Sequence, residues 1–254
     1  MKKRKAGIGI FVIVLIITAV RVKSMDSHRI SGRILAENIA GPGMMRLVEQ
    51  SMQARAQKTS VTEIAVKEWK HPQAALTFDD GPDIRYTPLL LDGLKERNVR
   101  ASFFLLGEKV EQYPELVERM QKEGHLVGNH TYHHVQLNKL NETKAREEIL
   151  KTNNLIYETT GVYPLYLRPP FGAWKKNLEL CVEMLPVFWT IDTLDWKVKN
   201  TEKIVRTVKE QIEDGAIILM HDEYDTSVEA ALRVVDELKN QGYELVTVDQ
   251  LILP

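Results

Sequence analysis

One cysteine, Cys181, occurs in the 254 residues, which excludes an intramolecular disulfide framework and any cysteine-built zinc site. That lone thiol is expected to be a small buried hydrophobe. Past residue 24 there is no dense cluster of Lys and Arg, so no nucleic-acid partner is expected. No bias toward disorder or collagen exists at 44% hydrophobic and 27% charged residues, and no repeat suggests a further module. Length allows one domain of about 180–200 residues with an extension.

The formal charge of −1 conceals an asymmetry. Six of the 34 basic side chains fall within residues 1–23, which contain no acid, leaving 28 bases against 35 acids in the remainder. "MKKRK" precedes a 15-residue apolar run, 6–20, which lies between a signal-peptide core and a full membrane span in length. Arg21 and Lys23 follow in place of a small-residue cleavage site, and such flanking cations can snorkel and lengthen a short span. The expectation is an uncleaved signal anchor over residues 1–23, single-pass in the cell membrane, with the globular part extracytoplasmic. Secretion after cleavage is the alternative. Residues 24–70 read as stalk and lead-in, and 71–254 as the globular domain.

From residue 73 apolar runs alternate with amphipathic ones. "QAALTF", "RASFFLL", "HLVGNH", "YLRPPF", "VFWTID", "AIILMH" and "YELVTV" read as strands. Helices are expected over "TPLLLDGLKERN", from Pro114 to Gly124, after an Asn141 cap, and over "TEKIVRTVKEQIEDG" and "SVEAALRVVDELKNQG". The strand runs are too continuously apolar to be half exposed, which indicates a parallel α/β fold, either a closed barrel or an open sheet. Polar groups cluster just after the strands: Asp79-Asp80, His130 to His134, Arg168, Asp192 to Trp196 and His221. In a parallel barrel those ends share one face, where substrate binds.

Two adjacent carboxylates at a strand end repel each other unless a metal ion or a shared proton offsets the charge; a helix N-cap pair is the plainer reading. His130 and His134 are four apart, so a helical turn would bring both rings to one side. Two imidazoles and a carboxylate form a three-ligand set that leaves positions open on a catalytic divalent ion. One carboxylate of the pair can then bind the cation while its neighbour serves as a base. His133 would face elsewhere, as a surface or supporting histidine. The sequon "NHT" at 129–131 overlaps this set and reads as accidental.

Together "TFDDGP" (77–82), "HTYHH" (130–134), "RPPFG" (168–172), "DTLDW" (192–196) and "LMH" (219–221) resemble, in order and spacing, the polysaccharide deacetylase family, the NodB-homology domain of carbohydrate esterase family 4. The resemblance covers roughly residues 70–253. It implies a distorted parallel (β/α) barrel of about seven strands and metal-dependent removal of acetyl groups from N-acetylated sugars. It implies Asp79 as general base and Asp80, His130 and His134 as metal ligands. Arg168 would orient Asp79, His221 would be the catalytic acid, and Asp195 its carboxylate partner. Trp196 and Leu219 would wall the acetyl methyl, and the Phe171 backbone N–H would face the oxyanion; many relatives have tyrosine where Phe171 stands. The ligand set suits one divalent metal, zinc foremost, with cobalt, manganese or nickel also fitting.

The expected partners are an extracytoplasmic N-acetylated glycan, foremost the N-acetylglucosamine of peptidoglycan, and the cytoplasmic membrane through the anchor. Chitin or chitooligosaccharide, N-acetylmuramic acid and O-acetylated xylan are alternative substrates. A catalytically idle glycan-binding protein is the reading from another class, and it would be signalled by loss of Asp79, Arg168 or His221, all of which are present.

Overall fold

Every residue of the strand β1 (Gln73–Asp79) is buried, as a run of apolar residues with small or β-branched neighbours requires when a strand is covered on both faces. The computed structural model describes residues 71–174 and 184–252. The expected anchor, the stalk and Cys181 lie outside the described residues. Among the described residues no helix is long and apolar enough to cross a membrane.

After β1 the chain forms helix α1 (Tyr86–Glu96), strand β2 (Ser102–Leu105), helices α2 (Gly107–Gln112) and α3 (Pro114–Lys122), and strand β3 (Leu126–Asn129). Helix α4 (Glu142–Thr160) follows, then strands β4 (Tyr166–Leu167), β5 (Leu185–Pro186) and β6 (Ile191–Asp192). The remainder is α5 (Asp195–Val198), α6 (Thr201–Gln211), β7 (Ala216–His221), α7 (Asp225–Asn240), β8 (Glu244–Leu245) and α8 (Val248–Ile252). Seven strands pair in the order β5-β4-β3-β2-β1-β7-β6, all parallel, and the path curls into a half-barrel. Strand β8 pairs with the first residues of β1, ahead of the point where β2 begins to pair.

The pleat of β1 sorts its side chains. Leu76 and Phe78 join the large cluster under the helices, where the Phe78 and Phe103 rings stack at 5.2 Å. Residue Ala75 turns the other way and packs with Phe104, Tyr166, Val187 and Val248, leaving Thr77 and Asp79 aligned with it on the inner face. Full burial of each large apolar side chain contributes about 1.5–3 kcal/mol.

Helix boundaries follow local chemistry. The Asn141 side chain accepts a hydrogen bond from the Lys144 N–H at 2.9 Å, and Gly161, with φ of 73°, ends the same helix. Pro114 opens α3, where a missing N–H costs nothing. Three expected strands are much shorter than their apolar runs. Strand β4 stops at Leu167 because Pro169 and Pro170 cannot donate to a ladder; β6 and β8 keep only two residues each.

Candidate active site

Strand register places the chemistry. On β1 and β7, Asp79 is paired with His221, and on β3 and β4, Asn129 is paired with Leu167. Hence the residues that follow, Asp80, His130 and Arg168, emerge at the same carboxyl-terminal edge. All but one of the non-glycine residues with positive φ among the described residues lie in the loops beyond that edge: Asp80, Thr131, His134, Phe171, Leu194 and Lys199, with Asn98 the exception. Each costs on the order of 1–2 kcal/mol, and such strain gathers where function fixes the backbone.

Asp80, His130 and His134 each offer a ligand atom, all within 4.8 Å of one another. The Asp80 Oδ1 lies 3.4 Å from the Nε2 of both histidines, is buried, and has no hydrogen-bond partner. The His130 Nδ1–H donates to the Arg168 carbonyl at 2.6 Å, which turns the Nε2 lone pair toward Asp80. Burial drives the pKa of His130 down to about 3, so the ring is in its neutral, ligating form at physiological pH. An orphaned carboxylate oxygen facing two imidazole lone pairs is a donor set that fits a divalent cation.

The loop carrying these histidines departs from the helical turn that their spacing suggested. Residues 130–136 have no helical structure, and Thr131 (φ 67°) and His134 (φ 55°) are left-handed. The rings still meet, with centroids 5.0 Å apart. Side-chain acceptors replace the helical ladder here, starting with the Asn129 Oδ1, which takes the Thr131 N–H at 2.7 Å. Asn129 is fully buried and also donates to Ile149 and Asn153, so its side chain is not open to glycosylation. The His133 ring is exposed and pairs with Glu148 at 2.7 Å.

Arg168 is entirely buried inside the curled sheet. Its Nη1 donates to Asp79 Oδ1 at 2.8 Å and to Thr77 Oγ1 at 2.7 Å, and its guanidinium lies 4.2 Å from the Phe104 ring centroid. Burial raises the pKa of Asp79 above the usual carboxylate range, the nearby Arg168 charge offsetting only part of that effect. Its other oxygen, Oδ2, lies 3.7 Å from His130 Nε2.

Across from this pair, the His221 Nδ1–H donates to Asp195 Oδ1 at 2.7 Å. The second oxygen of Asp195 accepts from the His221 N–H at 2.8 Å and from the Ser227 hydroxyl at 2.7 Å. Burial opposes charging of His221, but the Asp195 hydrogen bond and charge outweigh it and raise its pKa to about 9. For Asp195 burial acts upward, and the bonds from His221 and Ser227 hold its pKa below the ordinary value. The free Nε2 of His221 points to Asp80, 3.8 Å from its Oδ2. At the mouth, Phe171 and Trp196 are exposed, Phe171 packs against His134 with centroids 4.5 Å apart, and Leu219 is buried.

Three residues escaped the sequence reading. Ser227 and Glu148 carry no local signal, because each sits in a helix that reads as ordinary amphipathic sequence. Asp222 follows His221, is fully buried, and accepts from the Thr87 hydroxyl. A Cβ on Gly81 would sit 2.5 Å from the Asp222 Oδ1, so glycine is required where the metal-site loop crosses this carboxyl.

A parallel α/β domain with an Asp-His-His cluster at the strand ends, flanked by a buried Asp–Arg pair and an Asp–His pair, has the arrangement of a hydrolase with a candidate metal site. The chain belongs to the polysaccharide deacetylase family: the family profile "Polysaccharide deacetylase" matches residues 67–188. A peptidoglycan-N-acetylglucosamine deacetylase of Bacillus cereus is 40% identical over 186 residues, 70% of this chain and 68% of that one. PgdA of Listeria monocytogenes, named for the same activity, is 44% identical over 177 residues. The match covers 70% of this chain and 38% of PgdA, so the chain spans well under half the length of that relative. PdaC of Bacillus subtilis, a peptidoglycan-N-acetylmuramic acid deacetylase, is also 44% identical over 177 residues, 70% of this chain and 38% of PdaC. Its solved structure superposes with a TM-score of 0.70 at 42% identity, covering 72% of this chain and 91% of the solved one.

Proposed function

We propose that the protein is a metal-dependent deacetylase that removes the N-acetyl group from an amino sugar of peptidoglycan, N-acetylglucosamine foremost. The observation that carries this reading is the convergence of three pairings at one strand edge. The Asp80 carboxylate meets His130 and His134, Asp79 is held by Arg168, and His221 is held by Asp195.

Asp80, His130 and His134 would hold a divalent cation, which when bound would supply Lewis acidity, lowering the pKa of a nucleophilic water toward about 7 and polarising the acetamide carbonyl. Residue Asp79, unligated and oriented by Arg168, takes the proton released as water attacks the carbonyl carbon. The positive charge of His221 and a backbone N–H at Phe171 would stabilise the oxygen that gains charge. As the carbon–nitrogen bond breaks, the Nε2–H of His221 goes to the departing sugar amine, leaving acetate. A pKa near 9 keeps that proton available at neutral pH. Trp196, Phe171 and Leu219 offer apolar surface for the acetyl methyl and the sugar ring.

In the same reading the curled sheet is the wall of a distorted (β/α) barrel spanning residues 71–254, residues 24–70 are a stalk, and residues 1–23 anchor the chain in the cell membrane with the catalytic domain outside. The cationic start, the 15-residue apolar run and the absence of a small-residue cleavage site support the anchor. Membrane fractionation with protease protection tests it, and release of full-length protein into the medium would refute it.

Acetate release by the purified full chain from peptidoglycan fragments is the test of activity. Chelation should abolish it and one equivalent of Zn²⁺, Co²⁺ or Mn²⁺ restore it; activity indifferent to chelation would overturn the reading. Relatives named for glucosamine and for muramic acid deacetylation match equally well. Mass spectrometry of muramidase-digested wall glycan after overproduction therefore decides the sugar, acetyl loss confined to muramic acid excluding the glucosamine assignment.

A further inference from the structure

Between β3 and α4 the chain must hold two imidazoles at one point without a helix to do so. Four backbone N–H groups of the turn, those of Thr131, Tyr132, His133 and Val135, find side-chain acceptors. Beyond the Asn129 bond to Thr131, the Glu148 Oε2 accepts from both the Tyr132 N–H at 3.0 Å and the His133 N–H at 2.9 Å. The Thr131 hydroxyl accepts from Val135 at 3.2 Å. Glu148 Oε1 pairs with the His133 ring. The Glu148 side chain is only 15% exposed, although it is a charged residue on a helix.

We propose that Glu148 is a positioning residue for the metal centre, the template that sets the loop backbone from which His130 and His134 reach the ion. The proposal rests on the reading of Asp80, His130 and His134 as the ligand set.

The physical argument is one of degrees of freedom. Two consecutive amides sharing one carboxylate oxygen fix two successive peptide planes, those entering Tyr132 and His133, immediately before the second ligand. The residues on either side of that pair, Thr131 and His134, occupy left-handed conformations that a free loop would leave. Without the acceptor, the part-buried Tyr132 N–H and the His133 N–H would need new partners, and the loop would turn toward more populated backbone states. His134 would then leave the point where its Nε2 stands 3.4 Å from Asp80 Oδ1.

Helix α4 is fastened for this task. It receives the Asn129 amide at the Ile149 carbonyl and at Asn153, and the Lys151 ammonium lies 3.3 Å from the centroid of the Tyr132 ring. On the far side the Tyr132 hydroxyl donates to Glu111. The carboxylate of Glu148 is thus carried on a rigid element and reaches the loop through a single side chain.

Metal affinity of the full chain, measured by competition with a chromogenic chelator and by the visible absorption of the Co²⁺ form, separates the possibilities. Wild type should bind one equivalent and His130→Ala should not; equal binding by both would defeat the ligand assignment itself. Loss of supporting hydrogen bonds around a metal ligand typically lowers affinity about 10–100-fold, and that drop is expected for Glu148→Ala, with an altered Co²⁺ spectrum. Glu148→Gln keeps an oxygen for both amides and should stay within about threefold of wild type, by the same reasoning. His133→Ala removes only the ring contact and should leave affinity unchanged. Should Glu148→Ala not fold, judged by far-ultraviolet circular dichroism, Glu148→Asp keeps the charge on a shorter arm and should show the same drop. Wild-type affinity in whichever of these two variants folds, or a Gln variant as weak as the Ala one, overturns the proposal.

Discussion

Asp79 and His221 are direct register partners on adjacent parallel strands, separated in sequence but neighbours at the strand edge. Each is held from behind by a residue of opposite charge, Arg168 for the aspartate and Asp195 for the histidine. The two groups that handle protons in the proposed reaction are therefore fixed by the sheet, and the mobile part of the chemistry is left to substrate and water.

Replacing Asp79 with Asn should remove the base while preserving the site. Loss of general-base catalysis typically costs about 10²–10⁴ in rate. Acetate release should fall by that order while bound metal, measured by inductively coupled plasma spectrometry, stays at one equivalent. Full activity in Asp79→Asn would remove Asp79 from the role of base.

The pH profile follows from opposite shifts. Asp79 must be ionised, and burial raises its pKa, so the acid limb of kcat/KM reports its deprotonation. His221 must be protonated, and its pKa of about 9 sets the alkaline limb. In Asp195→Asn the largest contributions that raise the His221 pKa, the Asp195 hydrogen bond and charge, are lost, while burial, which lowers it, and the smaller Asp79 and Asp80 charges, which raise it, remain. The alkaline limb should therefore move to lower pH, and the ring resonances of His221 should titrate with it in nuclear magnetic resonance. An unmoved limb would dissociate His221 from the acid role.

Folding stability carries a second titration. The buried Asp222 carboxyl has its pKa pushed up to about 7 by burial, against the Thr87 hydrogen bond and the Lys109 charge. An unfolded aspartate titrates near about 3.9. Because the folded value is raised, the stability that the neutral acid contributes is full below the unfolded value and is lost as pH rises through 7. Thermal melts of the metal-free chain at pH 5 and pH 8 should show a smaller difference for Asp222→Asn than for wild type. Equal differences would mean that Asp222 does not titrate in this window.

Removal of Arg168 leaves the Asp79 charge buried and unpaired. Breaking such a pair costs about 3–5 kcal/mol, so Arg168→Ala should be strongly destabilised in urea denaturation as well as inactive. A stability within about 1 kcal/mol of wild type would show that Asp79 takes up its proton instead, since a neutral acid avoids the cost of a lone charge.

Much of this was legible in the sequence because strand ends in a parallel sheet share an edge, so polar residues after apolar runs announce a site. The alternation of β and α segments, the Asn141 cap and the grouping of Asp80, His130 and His134 all follow from period, capping and donor chemistry. The conformation of the histidine loop did not. A spacing of four is satisfied equally by a helical turn and by a coil pinned at its amides, and the pinning acceptors, Asn129, Thr131 and the distant Glu148, leave no mark on that spacing. Ser227 and Asp222 were hidden for a related reason, since their partners Asp195 and Thr87 are far away in the chain. The short β4 was foreseeable from Pro169 and Pro170, whereas β6 and β8 pair along only two residues of the longer strands β7 and β1, which no local signal announces.

The pairing of β1 with β7 joins residues such as Thr77 and Ile218, which lie 141 positions apart. The acid and base proposed on those two strands are not brought together until β7 has been synthesised and has paired with β1. Contacts this distant also slow the search for the native state. Onset of acetate release during refolding should consequently be among the last signals to return, well after helical content has recovered.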